Sequence, residues 1–360
     1  MIYHIYWGTS GNSGLYLDEI YQTLKASNFK QRAFVNYYYP FDYGDKIFFR
    51  YGDVANSKFN GTTRKIVQLI EVLLGYTKIL FCSLVQRPKL INYSHVGQSY
   101  IFIYWFLSLL KLFSGAKLVV TCHDVLPFGK KKCEMTNRKK IFRSADYLLV
   151  HTQNSKKELE SHFGINESKI VYHLFPIMDL SKLTNDEGNK EKDIDFLFIG
   201  HLRKEKGVDF LLESWKEFNK LNKTARLRIC GKKLPCNTFD ENELSKYNID
   251  FDLRFIPDED YYDLVRRAKY VLLPYTKGTN SGIISTVLSL GTAVITSDIP
   301  MFKENPLVPN DCMFKTENVE SFVDVLQTKW RINPKTIATL KEYRKIFNKE
   351  VCEVYSKLTI

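Results

Sequence analysis

The sequence predicts an α/β protein built as two doubly wound, Rossmann-like domains. Three observations carry this. The chain has 360 residues, 44% hydrophobic and 26% charged, enough for two cores at roughly 100–200 residues per domain. Short apolar runs alternate with longer stretches of helical period in two separate series. Between the series, residues 179–192 are charged and almost free of apolar side chains, as expected of a linker. The predicted organisation is an N-terminal domain over 1–178, a linker at 179–194 and a C-terminal domain over 195–340. A C-terminal helix at 341–360 is expected to pack back on the first domain.

Each element follows from its residues. Residues 2–7 are apolar and aromatic and predict a first strand, followed by a Gly/Ser-rich loop at 8–14. Leu17, Ile20, Tyr21 and Leu24 fall at i, i+3, i+4 and i+7, one face of a helix. Further strands are predicted at 90–94, 117–121 and 147–151, with helices at 62–85 and 98–113 between them. Ser155-Lys-Lys-Glu158 fits a capping box opening another helix. In the second series a strand at 195–199 ends in Gly200, a helix covers 208–218, and a strand at 226–230 ends in Gly231. Strands are predicted at 252–256 and 270–273 around a helix at 260–267. A helix at 283–290 and a strand at 293–297 follow, then helices to the end. In such sheets ligands bind beyond the carboxyl ends of the strands, and two facing sheets make a cleft.

Charge and cysteines narrow the function classes. Lys plus Arg number 52 against 40 Asp plus Glu, a net +12. That suits nucleic acid, an anionic membrane surface or phosphorylated small molecules. No nucleic-acid motif is present, so no nucleic-acid partner is expected. Seven cysteines (82, 122, 133, 230, 236, 312 and 352) include no C-x-x-C pair, which reads as reduced thiols and no zinc site. The first residues lack a basic start and cleavage site. The longest apolar runs, such as 101–110, are shorter than the roughly 20 residues of a membrane span. A cytoplasmic location follows as the expectation.

Four stretches could carry chemistry. After Gly200, Arg203, Lys204 and Lys206 precede a helix. A guanidinium fork and an ammonium beside helix N–H groups suit a diphosphate, and a solvated basic turn would carry the same residues. Asn280 or Ser281 can cap the next candidate helix, and Gly282 lets a ligand approach the backbone; an ordinary capped helix looks the same. His123 and Asp124 directly follow a strand, placing the imidazole at a carboxyl edge, where it could bond a substrate hydroxyl or carry protons. A plain turn histidine is the other reading. Gly8, Gly11 and Gly14 are evenly spaced and do not fit G-x-G-x-x-G.

Together these stretches resemble one family. Phe196-Leu-Phe-Ile-Gly-His-Leu-Arg-Lys-Glu-Lys-Gly-Val-Asp-Phe-Leu-Leu212 is similar to the strand–G-x-[LI]-R-x-x-KG-x-x-x-LL segment of retaining GT-B glycosyltransferases of family four, the glycosyltransferase group 1 family. Asn280-Ser-Gly-Ile283 with Leu290-Gly-Thr-Ala-Val-Ile-Thr-Ser-Asp298 resembles the subgroup with an SGV-type donor loop. Val119-Val-Thr-Cys-His-Asp124 and Ser144-Ala-Asp-Tyr-Leu-Leu-Val-His-Thr152 match less distinctive motifs. The resemblance implies a GT-B architecture, two Rossmann-like domains facing across a cleft. It implies a metal-independent, retaining transferase without a cofactor, taking a nucleotide diphosphate sugar as co-substrate. The N-terminal domain would bind acceptor and the C-terminal domain donor. The acceptor would be a glycan or lipid-linked oligosaccharide in bacterial-type surface polysaccharide assembly.

Under that resemblance His123, Arg203 and Lys206 are the catalytic set. Gly200, Arg203, Lys206, Gly231, Asn280, Ser281, Gly282, Ile283 and Thr286 bind donor. Gly11, Asn12, Ser13 and Gly14 form an acceptor loop. One departure stands out: where many members carry two glutamates, this sequence has Gly278 and Thr286. Two alternatives stay open: a GT-B nucleotide-sugar epimerase, which would also bind a nucleotide diphosphate sugar, and a non-catalytic pseudo-transferase scaffold, which that departure motivates. Two physical expectations accompany the reading. A hinge near 176–195 should be the first site of limited proteolysis, slowed by donor. The lysine cluster at 129–140 and the aromatic stretch at 101–113 should dock the N-terminal domain on an anionic membrane surface.

Overall fold

Every strand pairing among the described residues is parallel, and their strands fall into two sheets. The computed structural model describes residues 1–8, 13–53, 56–95, 100–127, 132–180, 190–235, 237–278, 282–332 and 337–360. Two compact units result. The first is Met1–Pro176 with Lys345–Ile360, and the second is Ile177–Arg344.

The first unit runs β1 (Ile2–Ile5), α1 (Ser13–Ala26), β2 (Gln31–Asn36), β3 (Asp45–Phe48), α2 (Gly61–Gln86), β4 (Leu90–His95), α3 (Ile101–Ser114), β5 (Lys117–Cys122), α4 (Lys132–Ser144), β6 (Tyr147–Val150), α5 (Gln153–Phe163) and β7 (Ile170–Tyr172). Its sheet order is β3-β2-β1-β4-β5-β6-β7. Inner strands such as β5 and β6 are apolar, as expected where helices cover both faces of a parallel sheet. Side chains of α2, α3, α4 and α5 share one core with the sheet, including Tyr76, Phe106, Phe142 and Phe163.

The second unit runs β8 (Ile194–Ile199), α6 (Val208–Leu221), β9 (Leu227–Cys230), α7 (Glu241–Ser245), β10 (Ile249–Asp252), α8 (Asp258–Arg267), β11 (Ala268–Leu273), α9 (Ile283–Ser289), β12 (Ala293–Ser297), α10 (Pro300–Lys303), β13 (Met313–Phe314) and α11 (Val319–Lys329). Its sheet order is β10-β9-β8-β11-β12-β13, so the order reverses between β8 and β11. Trp215 and Phe218 of α6 pack with Phe196, Phe322 and Leu326 in its core.

The final helix, α12 (Ile337–Thr359), begins in the second unit, and from Lys345 onward it belongs to the first. Asn348 accepts from Thr23 Oγ1 of α1 at 3.0 Å. Tyr355 accepts from Asn92 Nδ2 of β4 at 2.8 Å, and Asn92 accepts from Thr121 Oγ1 of β5. The last helix is therefore bonded into the middle of the first sheet.

Several expectations need correcting. The strand expected at 252–256 lies at Ile249–Asp252 instead, because β9 offers only Leu227–Cys230 as a register partner. Helix α5 is capped by Thr152, whose side chain accepts from the Ser155 N–H at 3.0 Å; Ser155 is inside the first turn. β2, β3, α4 and β7 were not foreseen. Residues 190–193 have no regular structure and are bonded to the second unit: Lys192 Nζ donates to Thr292 Oγ1 at 2.8 Å and Asp193 pairs with Arg267 at 2.5 Å. Residues 181–189 of the expected hinge lie outside the described residues. Finally, α2 is long and apolar enough to cross a membrane, unlike the shorter runs weighed above. Its Val72, Tyr76, Ile79 and Ser83 nonetheless pack inward as part of the fold.

Candidate functional site

In the second unit, the chain leaves β8 at Gly200 and β11 at Pro274, side by side where the strand order reverses. This is the position at which doubly wound sheets bind ligands. Gly200 has φ +129, Gly207 φ +70 and Gly231 φ +138. A Cβ on Gly231 would stand 1.9 Å from the Gly200 carbonyl oxygen, and one on Gly207 would stand 1.8 Å from the Pro274 oxygen. Glycine is required here because two loops and a helix start touch backbone to backbone. The Thr276 N–H donates to Glu205 O at 2.9 Å, and Ser297 Oγ donates to Tyr275 O at 2.6 Å. The loop after β8 and the loop after β11 are thus held together.

Lys206 closes this arrangement. Its side chain turns back over Gly200, where an added Cβ would meet Nζ at 2.7 Å. The ammonium also stands 5.5 Å from the centroid of the buried Tyr275 ring. Burial first, and the neighbouring Arg203 charge second, lower its pKa from 10.5 to about 8. Arg203 and Lys204 are exposed on the same short 3-10 turn, Lys204–Lys206, which Arg203 caps. The result is a half-buried cation, with a guanidinium nearby, just before the N-terminus of α6. Such a place favours a bound anion.

The other expected donor residues separate into two groups. Asn280 and Ser281 lie outside the described residues. Gly282 is the N-cap of α9, and Ile283 opens that helix and is buried. Thr286 needs correcting as a donor contact. It is 1% exposed and its Oγ1 donates to Gly282 O at 3.1 Å, so it serves the helix's own packing. Gly278 lies against Met301, whose sulfur would be 2.8 Å from an added Cβ.

In the first unit three adjacent strands each end in a histidine. His123 follows β5, His151 follows β6 and His173 follows β7. Tyr16 of α1 stands among them, with ring centroids 4.7, 5.0 and 6.2 Å from the three imidazoles. Carbonyl oxygens only accept, so the tautomers follow from the partners. His173 Nδ1–H donates to Leu174 O at 2.7 Å, leaving Nε2 to accept from the Tyr16 hydroxyl at 3.2 Å. His151 Nδ1–H donates to His173 O at 3.1 Å. Nε2 of His151 and Nε2 of His123 have no hydrogen-bond partner among the described residues.

Burial lowers the pKa of His123 and of His173 to about 4, and lowers His151 well below its ordinary 6.5; His173 adds to the shift of the other two. All three are neutral at pH 7. His123 can donate or accept one hydrogen bond there, but it does not serve as a cationic acid.

The turn carrying His123 is fixed from below. Arg138 of α4, 1% exposed, donates to Asp124 O at 2.8 Å and Val125 O at 3.1 Å, and pairs with Glu134 at 3.1 Å. Arg138→Ala strips a buried carboxylate and two carbonyls of their partner. The expected cost is about 3–5 kcal/mol of stability, measurable as a lowered urea midpoint with an unchanged slope.

Gly11 and Asn12 of the expected acceptor loop lie outside the described residues, and only the backbone of Ser13, the first residue of α1, is described. Gly14 is buried, and its carbonyl accepts from the Tyr39 hydroxyl at 3.1 Å. Sequence reasoning missed Tyr16, His151, His173 and Tyr275. The available signal was partial: His123 lies just beyond the strand predicted at 117–121 and His151 ends the one predicted at 147–151, whereas β7, which precedes His173, was not predicted. Among the described residues no group of three or more His, Cys, Asp or Glu is placed to hold a metal ion.

Comparison with known proteins identifies the unit that holds Lys206. Residues 181–344 match the family model described as glycosyl transferases group 1. The match falls within the second unit, the one that carries Gly200 and Lys206. Residues 97–175 match the N-terminal domain model described as glucosyltransferase 3-like. An uncharacterized glycosyltransferase of Methanocaldococcus jannaschii is 37% identical over 101 residues, which are 26% of this chain and 25% of that protein. The chain thus matches a quarter of the length of that curated relative.

Solved structures extend the likeness to the whole fold. Sucrose-phosphate synthase from Thermosynechococcus elongatus aligns over 99% of both chains, with a TM-score of 0.65 and 12% identity. HepE of Anabaena, in complex with UDP-glucose, also aligns over 99% of both, with a TM-score of 0.62 and 12% identity. The chain has the GT-B fold, two parallel-sheet α/β units, the second of which matches the group 1 model.

Proposed function

We propose that the protein is a glycosyltransferase that moves a sugar from a nucleotide diphosphate sugar to a hydroxyl of a glycan acceptor, with retention of configuration. The reading extends to a lipid-linked acceptor in surface polysaccharide assembly on the cytoplasmic side. The observation that carries it is the Lys206 ammonium, held over Gly200 at the strand-order reversal of the unit that matches the group 1 model. The complex of HepE with UDP-glucose supports a donor of that class.

The chemistry follows from the charges. As the bond between the sugar and the diphosphate breaks, negative charge grows on the leaving oxygen. Lys206, Arg203 and the free N–H groups at the start of α6 would face that charge, and an interaction that strengthens as charge develops lowers the barrier. In this mechanism these cations do the stabilising, with no metal ion or cofactor assigned. Neutral His123, whose buried Nε2 has no hydrogen-bond partner among the described residues, would bond a hydroxyl of the transferred sugar.

The deciding experiment incubates the protein with UDP- and GDP-sugars, with and without glycan acceptors, and analyses products by mass spectrometry and anomeric NMR. Acceptor-dependent product with the donor's anomeric configuration supports the reading. Interconversion of a nucleotide sugar without acceptor points to the epimerase, and no binding of either nucleoside diphosphate points to a scaffold. Activity in EDTA tests metal independence. His123→Gln keeps a neutral polar group but moves its hydrogen-bonding atoms. It is expected to lower kcat/KM by about tenfold or more with little change in melting temperature.

A further inference from the structure

The outer face of α2 is apolar, although its inner face already belongs to the core. Leu73, Leu74, Phe81 and Val85 are 56, 66, 67 and 68% exposed. At 3.6 residues per turn the exposed apolar positions of α2, from Ile66 to Val85, fall in an arc of about 160°, opposite Val72, Tyr76, Ile79 and Ser83. α3 repeats the pattern, burying Ile103, Phe106, Leu107 and Leu110 while Trp105 and Leu112 are 60 and 75% exposed. The Tyr76 and Phe106 rings stack at 3.5 Å between centroids. The two helices therefore lie side by side, and their outer faces join into one surface. A helix that is apolar all round is ordinarily covered, and apolar surface of this extent marks a docking site.

Charge decides what covers it. Residues 61–144, from the start of α2 to the end of α4, hold fourteen Lys and Arg against three Asp and Glu, a net +11 out of the chain's +12. α3 packs against both α2 and α4. Lys65 of α2 and Lys140 of α4 are exposed, and Lys139 is half-exposed. Glu71, the acidic residue of α2, is occupied by the backbone N–H groups of Tyr51 and Gly52 at 2.8 and 3.0 Å. The stretch that shows the apolar side chains is thus the stretch that carries the chain's positive charge. Two copies of such a face would repel each other.

We propose that the outer face of α2 and α3 docks on a bilayer rich in anionic phospholipid. α2 lies along the membrane plane, with Leu73, Leu74 and Phe81 among the acyl chains and the lysines at the headgroups. Its inner face stays on the sheet, so it lies on the bilayer rather than crossing it. Trp105 sits where indole rings favour the interface. This inference stands independently of the transfer reaction.

The test is flotation of the full-length protein with phosphatidylcholine vesicles containing about one third phosphatidylglycerol. Binding is expected at low salt, weakening about tenfold at high salt. Phe81→Gln with Leu112→Gln is expected to weaken binding by about tenfold or more, while the melting temperature stays unchanged because both side chains are exposed. Lys139→Glu with Lys140→Glu is expected to remove the preference for anionic over neutral vesicles. Equal binding to pure phosphatidylcholine would overturn the proposal, as would wild-type binding by the Phe81/Leu112 variant. So would absence of binding, whether sedimentation then finds monomers or a second copy on this face.

Discussion

Lys206→Ala is expected to lower kcat/KM for donor by about ten- to hundredfold, the value of one charge-assisted hydrogen bond to a developing anion. The loss should be larger in kcat/KM than in ground-state affinity. Arg203→Ala should act in the same direction. Lys204→Ala, at the exposed first residue of the turn, should leave activity within about twofold. The pH profile gives an independent readout. Lys206 titrates near 8 in the free protein, so kcat/KM should fall as pH rises through 8, when the ammonium becomes neutral. That limb should be missing in Lys206→Ala. Damage from Lys204→Ala with a near-normal Lys206→Ala would move the phosphate site elsewhere.

Mild acid should unfold the first unit well before its carboxylates titrate. His4, His123 and His173 are buried, with pKa values lowered from 6.5 to about 4. As pH falls from 6.5 to 4 the unfolded chain takes up protons at these sites and the folded unit does not. Stability is thus fully present above about pH 7 and declines across that window. Each histidine contributes about 3 kcal/mol to the decline, and the three together are comparable to a domain's total stability of roughly 5–15 kcal/mol. The urea midpoint should be flat above pH 7 and fall steeply between 6 and 4.5. A midpoint that holds constant from pH 7 to 5 would contradict the placement of these imidazoles, and NMR titration of the ring C–H groups would show which one titrates normally.

The two halves of the chain were not equally legible. In the second unit, glycine at a strand end, a basic turn and a helix start are contiguous in sequence, so the pattern around Gly200 and Lys206 could be read locally. Tyr275 escaped because its role comes from a loop some seventy residues on, brought alongside only by the β8–β11 pairing. The histidine cluster escaped for the same reason. His123, His151 and His173 come from three strands, and Tyr16 from a helix more than a hundred residues upstream. β2 and β3 mix charged and apolar side chains, so neither period dominates. α2 is apolar on both sides, which hides from periodicity which side faces the sheet. Thr286 entered the donor set through the resemblance, at a position where many members carry a glutamate; in the fold it is 1% exposed and its hydroxyl bonds its own helix.

The second unit is contiguous, whereas the first is split by it. During synthesis the later stretch, 177–344, therefore has all its strands before the earlier one is whole. The first unit must wait for its final sixteen residues, whose Tyr355 reaches Asn92 in the middle of the sheet. Assembly order would then run against chain order. A nascent chain cut off after residue 344 and tethered to the ribosome by a linker long enough to clear the exit tunnel should carry a protease-resistant second unit and an N-terminal half that is still readily cleaved.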